Sequence, residues 1–241
     1  FGVQARGLAP GETPDGSVEE MAARYVDAVR AVRPRGPYLL GGWSVGGPVA
    51  FEMARRLRAA GEEVALLALI DSWAPVDGAR PLPDDADLLA LLAADLGVRT
   101  EPATLASLRD ELRALPADAR LTRFEGWIRR LEPGLPELDA AGLRRRLDVY
   151  RATARAAADY RAGPYDGRVT LFRASRSAAW PTGDLSAEAW ERDPRLRWRE
   201  LTTRPLDVRE VAGTHHSIVV GADVEGLAEA LRSALGAAAP A

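Results

Sequence analysis

The run Glu63-Val-Ala-Leu-Leu-Ala-Leu-Ile70 narrows what this chain can become more than any other segment. It has the length of a strand but not the alternation of a half-buried one. Both of its faces must therefore be covered, as in a parallel strand with helices on either side. The flanking segments agree. Phe1-Gly-Val-Gln4 reads as the end of a strand entering a Gly- and Pro-rich loop. Ser17-Val-Glu-Glu20 has the pattern of a capping box, and Val18, Met21, Ala22, Tyr25, Val26, Val29 and Val32 then recur at helical spacing. Pro34 to Pro37 breaks that helix. Tyr38–Trp43 is a short apolar strand, and Val49, Met53 and Leu57 mark a helix over 46–60 that Gly61 stops.

Alternating strands and helices are the signature of a parallel α/β sheet. The alternation breaks off after Asp71. Between about Ala79 and Arg161 only helical patterns occur: 85–96, 105–115, 117–131 and 141–160. Gly167–Ala174 reads as a strand again. A loop containing Trp180, Trp190 and Trp198 follows, then a last strand, Asp207–Val211, and a closing helix from about Val224 to Leu235. The predicted fold is α/β, a mostly parallel sheet flanked by helices, built from 1–75 and 163–241. An all-helical insertion over 76–162 is expected to sit over the sheet as a lid.

Composition then limits the chemistry. The 32 basic side chains are all arginine, cysteine is absent, and the two histidines are neighbours, His215 and His216. Without lysine there is no Schiff-base enzyme, P-loop or Ser-x-x-Lys acylase. Without cysteine there is no thiolate nucleophile, disulfide or zinc–thiolate site. Adjacent histidines cannot form a His-Glu-x-x-His zinc site, so no metal is expected. The missing lysine is most simply a consequence of GC-rich coding. A net charge of −3 gives no general attraction to nucleic acid. No window holds about 18 uninterrupted apolar residues, so no membrane span is expected. No secretory signal opens the chain, and a cytoplasmic location is the default.

What remains is hydroxyl chemistry served by imidazole. Gly42-Trp43-Ser44-Val45-Gly46 is a G-x-S-x-G where a strand becomes a helix, the setting of a nucleophile elbow. The glycines permit a sharp turn that lifts Ser44 clear of the sheet. The helix N-terminus offers N–H groups, Val45 among them, to a developing oxyanion. The competing readings are Ser44 as an ordinary helix cap and a phosphate loop, which lacks its lysine. A nucleophilic serine needs a base, and only His215 and His216 are available, in a loop between the last strand and the last helix. Two acids compete to orient that base. Asp71 ends the apolar strand; Asp184 lies in a loop ten residues past Ala174. A strand terminus holds a carboxylate more rigidly, which favours Asp71 over a turn-capping role for it. The order Ser44, Asp71, histidine is that of the α/β-hydrolases.

Residues 36–47 (Gly-Pro-Tyr-Leu-Leu-Gly-Gly-Trp-Ser-Val-Gly-Gly), 49–54, 67–71, 165–174 and 211–215 resemble the type I thioesterase domains that terminate nonribosomal peptide and polyketide synthases. The resemblance implies the α/β-hydrolase fold and a Ser44 acylated from a phosphopantetheine thioester on an upstream carrier protein. The chain would then be released by hydrolysis or macrocyclisation, with no cofactor bound by the domain itself. It assigns His215 as base, places Asp71 as the acid, and puts His216 where an aromatic residue often sits. It makes 76–162 the variable lid that shapes the acyl pocket. Trp43 and Trp73 flank the site and, with His216, are candidates for lining that pocket; core packing explains the tryptophans equally well. In this family another strand and helix precede the segment starting at Phe1, and their loop supplies the second oxyanion N–H. An upstream extension is therefore expected. The rival readings are an editing, type II-like thioesterase, a free-standing esterase with the same triad, and a catalytically silent docking module. Arg144-Arg-Arg146, Arg151 and Arg155 form either a docking face for carrier or phosphate, or a solvated helix face paired with acids.

Overall fold

The computed structural model describes residues 1–75, 82–98, 101–132, 139–176 and 193–238. Trp180, Asp184 and Trp190 lie outside the described residues. The chain forms two compact units: Val18–Arg80 with Ala157–Ala241, and Phe1–Ser17 with Pro81–Ala156.

In the first unit the apolar run becomes β2 (Val64–Ile70). It pairs in parallel with β1 (Tyr38–Trp43) on one side and β3 (Val169–Ala174) on the other. β3 in turn pairs with β4 (Asp207–Val211), giving a four-stranded sheet in the order β1-β2-β3-β4 with every ladder parallel. Helix α1 (Val18–Val32) packs on α2 (Gly46–Ala59), and α2 packs on β1 and β2. The closing helix, here α7 (Val224–Ala238), packs on β2, β3 and β4. Successive residues of a strand point to opposite faces. Leu66 and Ala68 of β2 join Phe172, Ala174, Val211, Leu227 and Ala234 in one cluster, so Leu67 and Leu69 face the other way, and both are fully buried. This double burial is why β2 shows no alternation in the sequence. β1 does alternate, with Tyr38 and Leu40 buried and Leu39 exposed.

Two polar devices complete this unit. Glu52 of α2 is buried and accepts from Arg55 (2.7 Å), Arg56 (2.9 Å) and the Tyr160 hydroxyl (2.7 Å). Burial, then that bond and the charge of Glu52, raise the Tyr160 hydroxyl above its ordinary value. A 3₁₀ turn, Pro194–Glu200, is anchored by Trp198, which is fully buried, packs on Phe51 and donates from Nε1 to the Ser72 carbonyl at 3.0 Å. Phe1–Gln4, expected to end a strand, joins no ladder among the described residues. Phe1 and Val3 are exposed; without a neighbouring strand, these backbone groups have no ladder to enter.

The second unit holds the expected helices: α3 (Asp85–Asp95), α4 (Pro102–Ala114), α5 (Ala117–Leu131) and all but the last three residues of α6 (Ala140–Asp159). Leu89, Leu92, Leu108, Leu112, Phe124, Ile128 and Leu143 form its core. Asp84 and Asp87 build a reciprocal capping box at the start of α3, and Arg113 of α4 bonds both carboxylates at 2.8 Å. Residues 1–17 belong to this unit, where Arg145 donates to the Leu8 carbonyl at 3.0 Å. Arg151 pairs with Asp85 and Asp148, so part of the arginine face is engaged by partners inside its own unit.

Burial separates two leucines on neighbouring strands. Leu69→Ala should cost about 2–5 kcal/mol. Leu39→Ala, which removes an exposed side chain, should change stability by about 0.5 kcal/mol or less. Equilibrium denaturation of the two variants measures the difference.

Candidate active site

β1 and β2 end side by side, with Trp43 opposite Ile70. The next residue on each strand is the only non-glycine pair with left-handed backbone among the described residues: Ser44 at φ 53° and Asp71 at φ 44°. Such conformations cost on the order of 1–3 kcal/mol each and persist only where the surroundings enforce them. Here the enforcement is visible. The Ser44 N–H still bonds to the Ile70 carbonyl (3.0 Å), and the Asp71 N–H to the Phe172 carbonyl (2.7 Å), before each chain turns away.

The turn after β1 is sterically tight. A Cβ on Gly42 would lie 2.0 Å from the Gly46 carbonyl oxygen, and one on Gly47 would lie 1.9 Å from Ser72 Oγ. A Cβ on Gly46 would meet nothing within 4 Å. The turn thus demands the first glycine of the G-x-S-x-G but not the second; the next glycine along carries the other close approach. Ser44 is half-buried and does not cap α2. The cap is Val45, with no side-chain hydrogen bond, standing at the N-terminal end of the helix.

His215 lies in the loop after β4. Its Nδ1 is 2.7 Å from Asp71 Oδ2. Its ring stacks on Trp43 at 4.9 Å, and the Trp43 indole donates to the His215 carbonyl at 3.1 Å. An ionised carboxylate can only accept, so Nδ1 is the donor in this bond. Ser44 follows the tryptophan on which His215 lies, and its N–H bonds to the residue before Asp71. Serine, acid and imidazole therefore gather at one end of the sheet. His216 packs edge-on against Trp43 at 5.5 Å. The loop is pinned by Ser217, which accepts from the Thr214 N–H (2.8 Å) and donates to Asp223 (2.5 Å), while Asp223 pairs with Arg176 (2.8 Å).

Asp71 is 1% exposed. Burial opposes its ionisation. The bond to His215, the charge of Arg195 and the Ala174 N–H (2.9 Å) together outweigh burial and hold its carboxyl below the ordinary 3.8. Arg195 is the residue that the sequence did not reveal. Its Nη1 bonds Asp71 Oδ1, and its Nε and Nη2 clasp Asp193. Asp193 immediately before Pro194 is a helix-start signal, and Asp193 does accept from the Arg195 N–H at 2.9 Å. Nothing local, however, shows that the following arginine reaches a carboxylate 124 positions away. Trp73 is half-buried, with the Arg195 guanidinium carbon 5.9 Å from its ring centre. Among the described residues no group of three or more His, Asp or Glu side chains is placed to hold a metal ion, and no helix is long and apolar enough to cross a membrane.

The profile of the Thioesterase domain family matches residues 1–235. The chain is 33% identical over 198 residues to the dimodular nonribosomal peptide synthase of Bacillus subtilis (strain 168), covering 79% of this chain and 8% of that protein. It therefore spans less than a tenth of that relative's length. Among solved structures it is similar to holo-AB3403, a four-domain nonribosomal peptide synthetase bound to AMP and glycine, with TM-score 0.78 and 28% identity over 96% of this chain and 17% of that one. It is also similar to the NocB thioesterase domain in covalent complex with a fluorophosphonate nocardicin G analogue, with TM-score 0.60 and 28% identity over 95% of this chain and 79% of that one.

Two outcomes test this geometry. Gly42→Ala and Gly47→Ala should each cost about 2–3 kcal/mol through overpacking, whereas Gly46→Ala should change stability by about 0.5 kcal/mol or less; thermal unfolding of the three variants ranks them. Asp71→Asn should cost about 3 kcal/mol at neutral pH by breaking a buried pair. The Asp71 value is lowered on folding, so its contribution is complete above about pH 4 and fades as pH falls through the lower folded value. The gap between wild type and Asp71→Asn in denaturant titrations should shrink with it.

Proposed function

Because the chain belongs to the Thioesterase domain family, we propose that it acts as the chain-releasing thioesterase of a peptide or polyketide synthase, with Ser44 as nucleophile, His215 as base and Asp71 as the acid that orients it. His215 takes the Ser44 proton as the hydroxyl attacks the thioester carbonyl of an acyl chain held on the phosphopantetheine arm of an upstream carrier domain. The Val45 N–H at the head of α2 stabilises the oxyanion. The carrier thiol departs readily, its pKa being about 8.5, and leaves an acyl ester on Ser44. Water, activated by the same imidazole, gives a linear acid; an amine or hydroxyl of the acyl chain gives a ring. An internal nucleophile held close can reach effective molarities of about 10⁵ M. Trp43, Trp73 and His216 are proposed to border the acyl chain, and 76–162 to be the insertion that shapes its pocket. A cytoplasmic location belongs to the same reading.

The observation that carries this reading is the 2.7 Å bond from His215 Nδ1 to a buried, ionised Asp71, beside a left-handed Ser44 at the head of a helix. That arrangement orients the imidazole so that its Nε2 can serve a hydroxyl. The kinship to a thioesterase domain captured covalently by a fluorophosphonate supports it.

A fluorophosphonate probe incubated with the full-length polypeptide should give a single adduct on Ser44 and none with Ser44→Ala. Acyl thioesters should give the matching acyl mass on the same residue, followed by a linear or cyclic product. An unlabelled Ser44 in the folded full-length protein would overturn the enzyme reading in favour of a silent docking module.

A further inference from the structure

We propose that Arg195 is a positioning residue of this site, pinning the Asp71 carboxylate on the oxygen opposite His215 and so fixing the direction in which that carboxylate holds the imidazole. The inference rests on the roles proposed above for Ser44, His215 and Asp71.

The two oxygens of Asp71 have different partners. Oδ2 receives His215 Nδ1 at 2.7 Å. Oδ1 receives the Ala174 N–H at 2.9 Å and Arg195 Nη1. A backbone donor at the end of β3 and a charged donor together fix the plane of the carboxylate, with Oδ2 turned toward the imidazole. Arg195 can do this because it is itself held. Its Nε lies 2.9 Å from both oxygens of Asp193, and its Nη2 lies 2.6 Å from Oδ2. The guanidinium and both carboxylates are almost fully buried. A planar fork with charge on every arm can bridge two carboxylates in this way, where an ammonium ion is a single point of charge.

The electrostatic consequence follows from charge sharing. Arg195 draws on the negative charge of Asp71 from the side opposite His215, so the charge that faces the imidazole is partly compensated. Among the described residues, the other charged or titratable groups near the pair include His216, whose ring lies 5.1 Å from that of His215, Arg173, which lies 3.8 Å from Asp193, and Glu210, which pairs with Arg173 at 3.1 Å. Asp193 acts in the opposite sense, since it offsets the charge of Arg195.

The two members of the buried pair therefore predict opposite shifts. The rate of Ser44 phosphonylation by a fluorophosphonate, and kcat/KM with an acyl thioester, are measured against pH in the full-length protein. Arg195→Gln keeps a donor and removes the charge; its acidic limb should move up by about one pH unit, and its plateau should fall about tenfold. Arg195→Lys keeps the charge and should hold the midpoint near wild type while losing plateau rate. Asp193→Asn leaves Arg195 uncompensated and should move the midpoint down, which keeps the question open to test should Arg195→Gln fail to fold. Midpoints unchanged in both, or moved in the same direction, would overturn the proposal by assigning Arg195 to packing alone. A wild-type Ser44 that does not react at any pH would instead sink the thioesterase reading itself.

Discussion

The buried carboxylate of Asp71 is the constraint on which this site depends. A charge with 1% exposure is tolerated only when donors replace the water it has lost. Among the described residues such donors include the Ala174 N–H at the end of β3, Arg195 of the 3₁₀ turn and His215 of the loop after β4. Asp71 itself ends β2. One carboxylate therefore joins the ends of three successive strands and a turn anchored by Trp198. Buried ion pairs seldom add much net stability over well-packed apolar groups. What this one supplies is direction, because a carboxylate whose outer oxygen is fixed can orient an imidazole on its inner one.

Strain is concentrated at the same place. Ser44 and Asp71 both adopt left-handed backbone, and both do so one residue beyond a strand whose ladder still holds their N–H groups. The strand ends are rigid because β2 and β3 are buried on both faces, so the sheet can hold two unfavourable conformations side by side. Trp43 adds a second brace: its ring stacks on His215 while its N–H holds the backbone carbonyl of the same residue. A tryptophan that the sequence offers only as pocket wall or core filler thus also braces His215.

Much of this was legible in the chain itself. The uninterrupted apolar run of β2 predicts a doubly covered parallel strand, and the sheet shows one. The four helices between Asp71 and the third strand have the spacing of amphipathic helices and form a core of their own. Ser44 at a strand-to-helix junction and a lone histidine pair narrow the candidates for nucleophile and base by elimination. The rigidity of a strand end favours Asp71 over Asp184, and Asp71 does lie against His215, while Asp184 lies outside the described residues. The elbow glycines were only half legible: the pattern marks Gly42 and Gly46, whereas the close approaches fall on Gly42 and Gly47, because which Cβ collides depends on how Ser72 packs against the helix.

The sequence by itself determined which residue types could do the chemistry and where strands and helices alternate, since periodicity and composition are local properties. Only the tertiary structure decided that His215 meets Asp71, that Arg195 and Asp193 complete the carboxylate's surroundings, and that Ser44 is not a helix cap. Each of these joins residues far apart in the chain, and the alignment of parallel strand ends that brings them together is set by packing across the whole sheet.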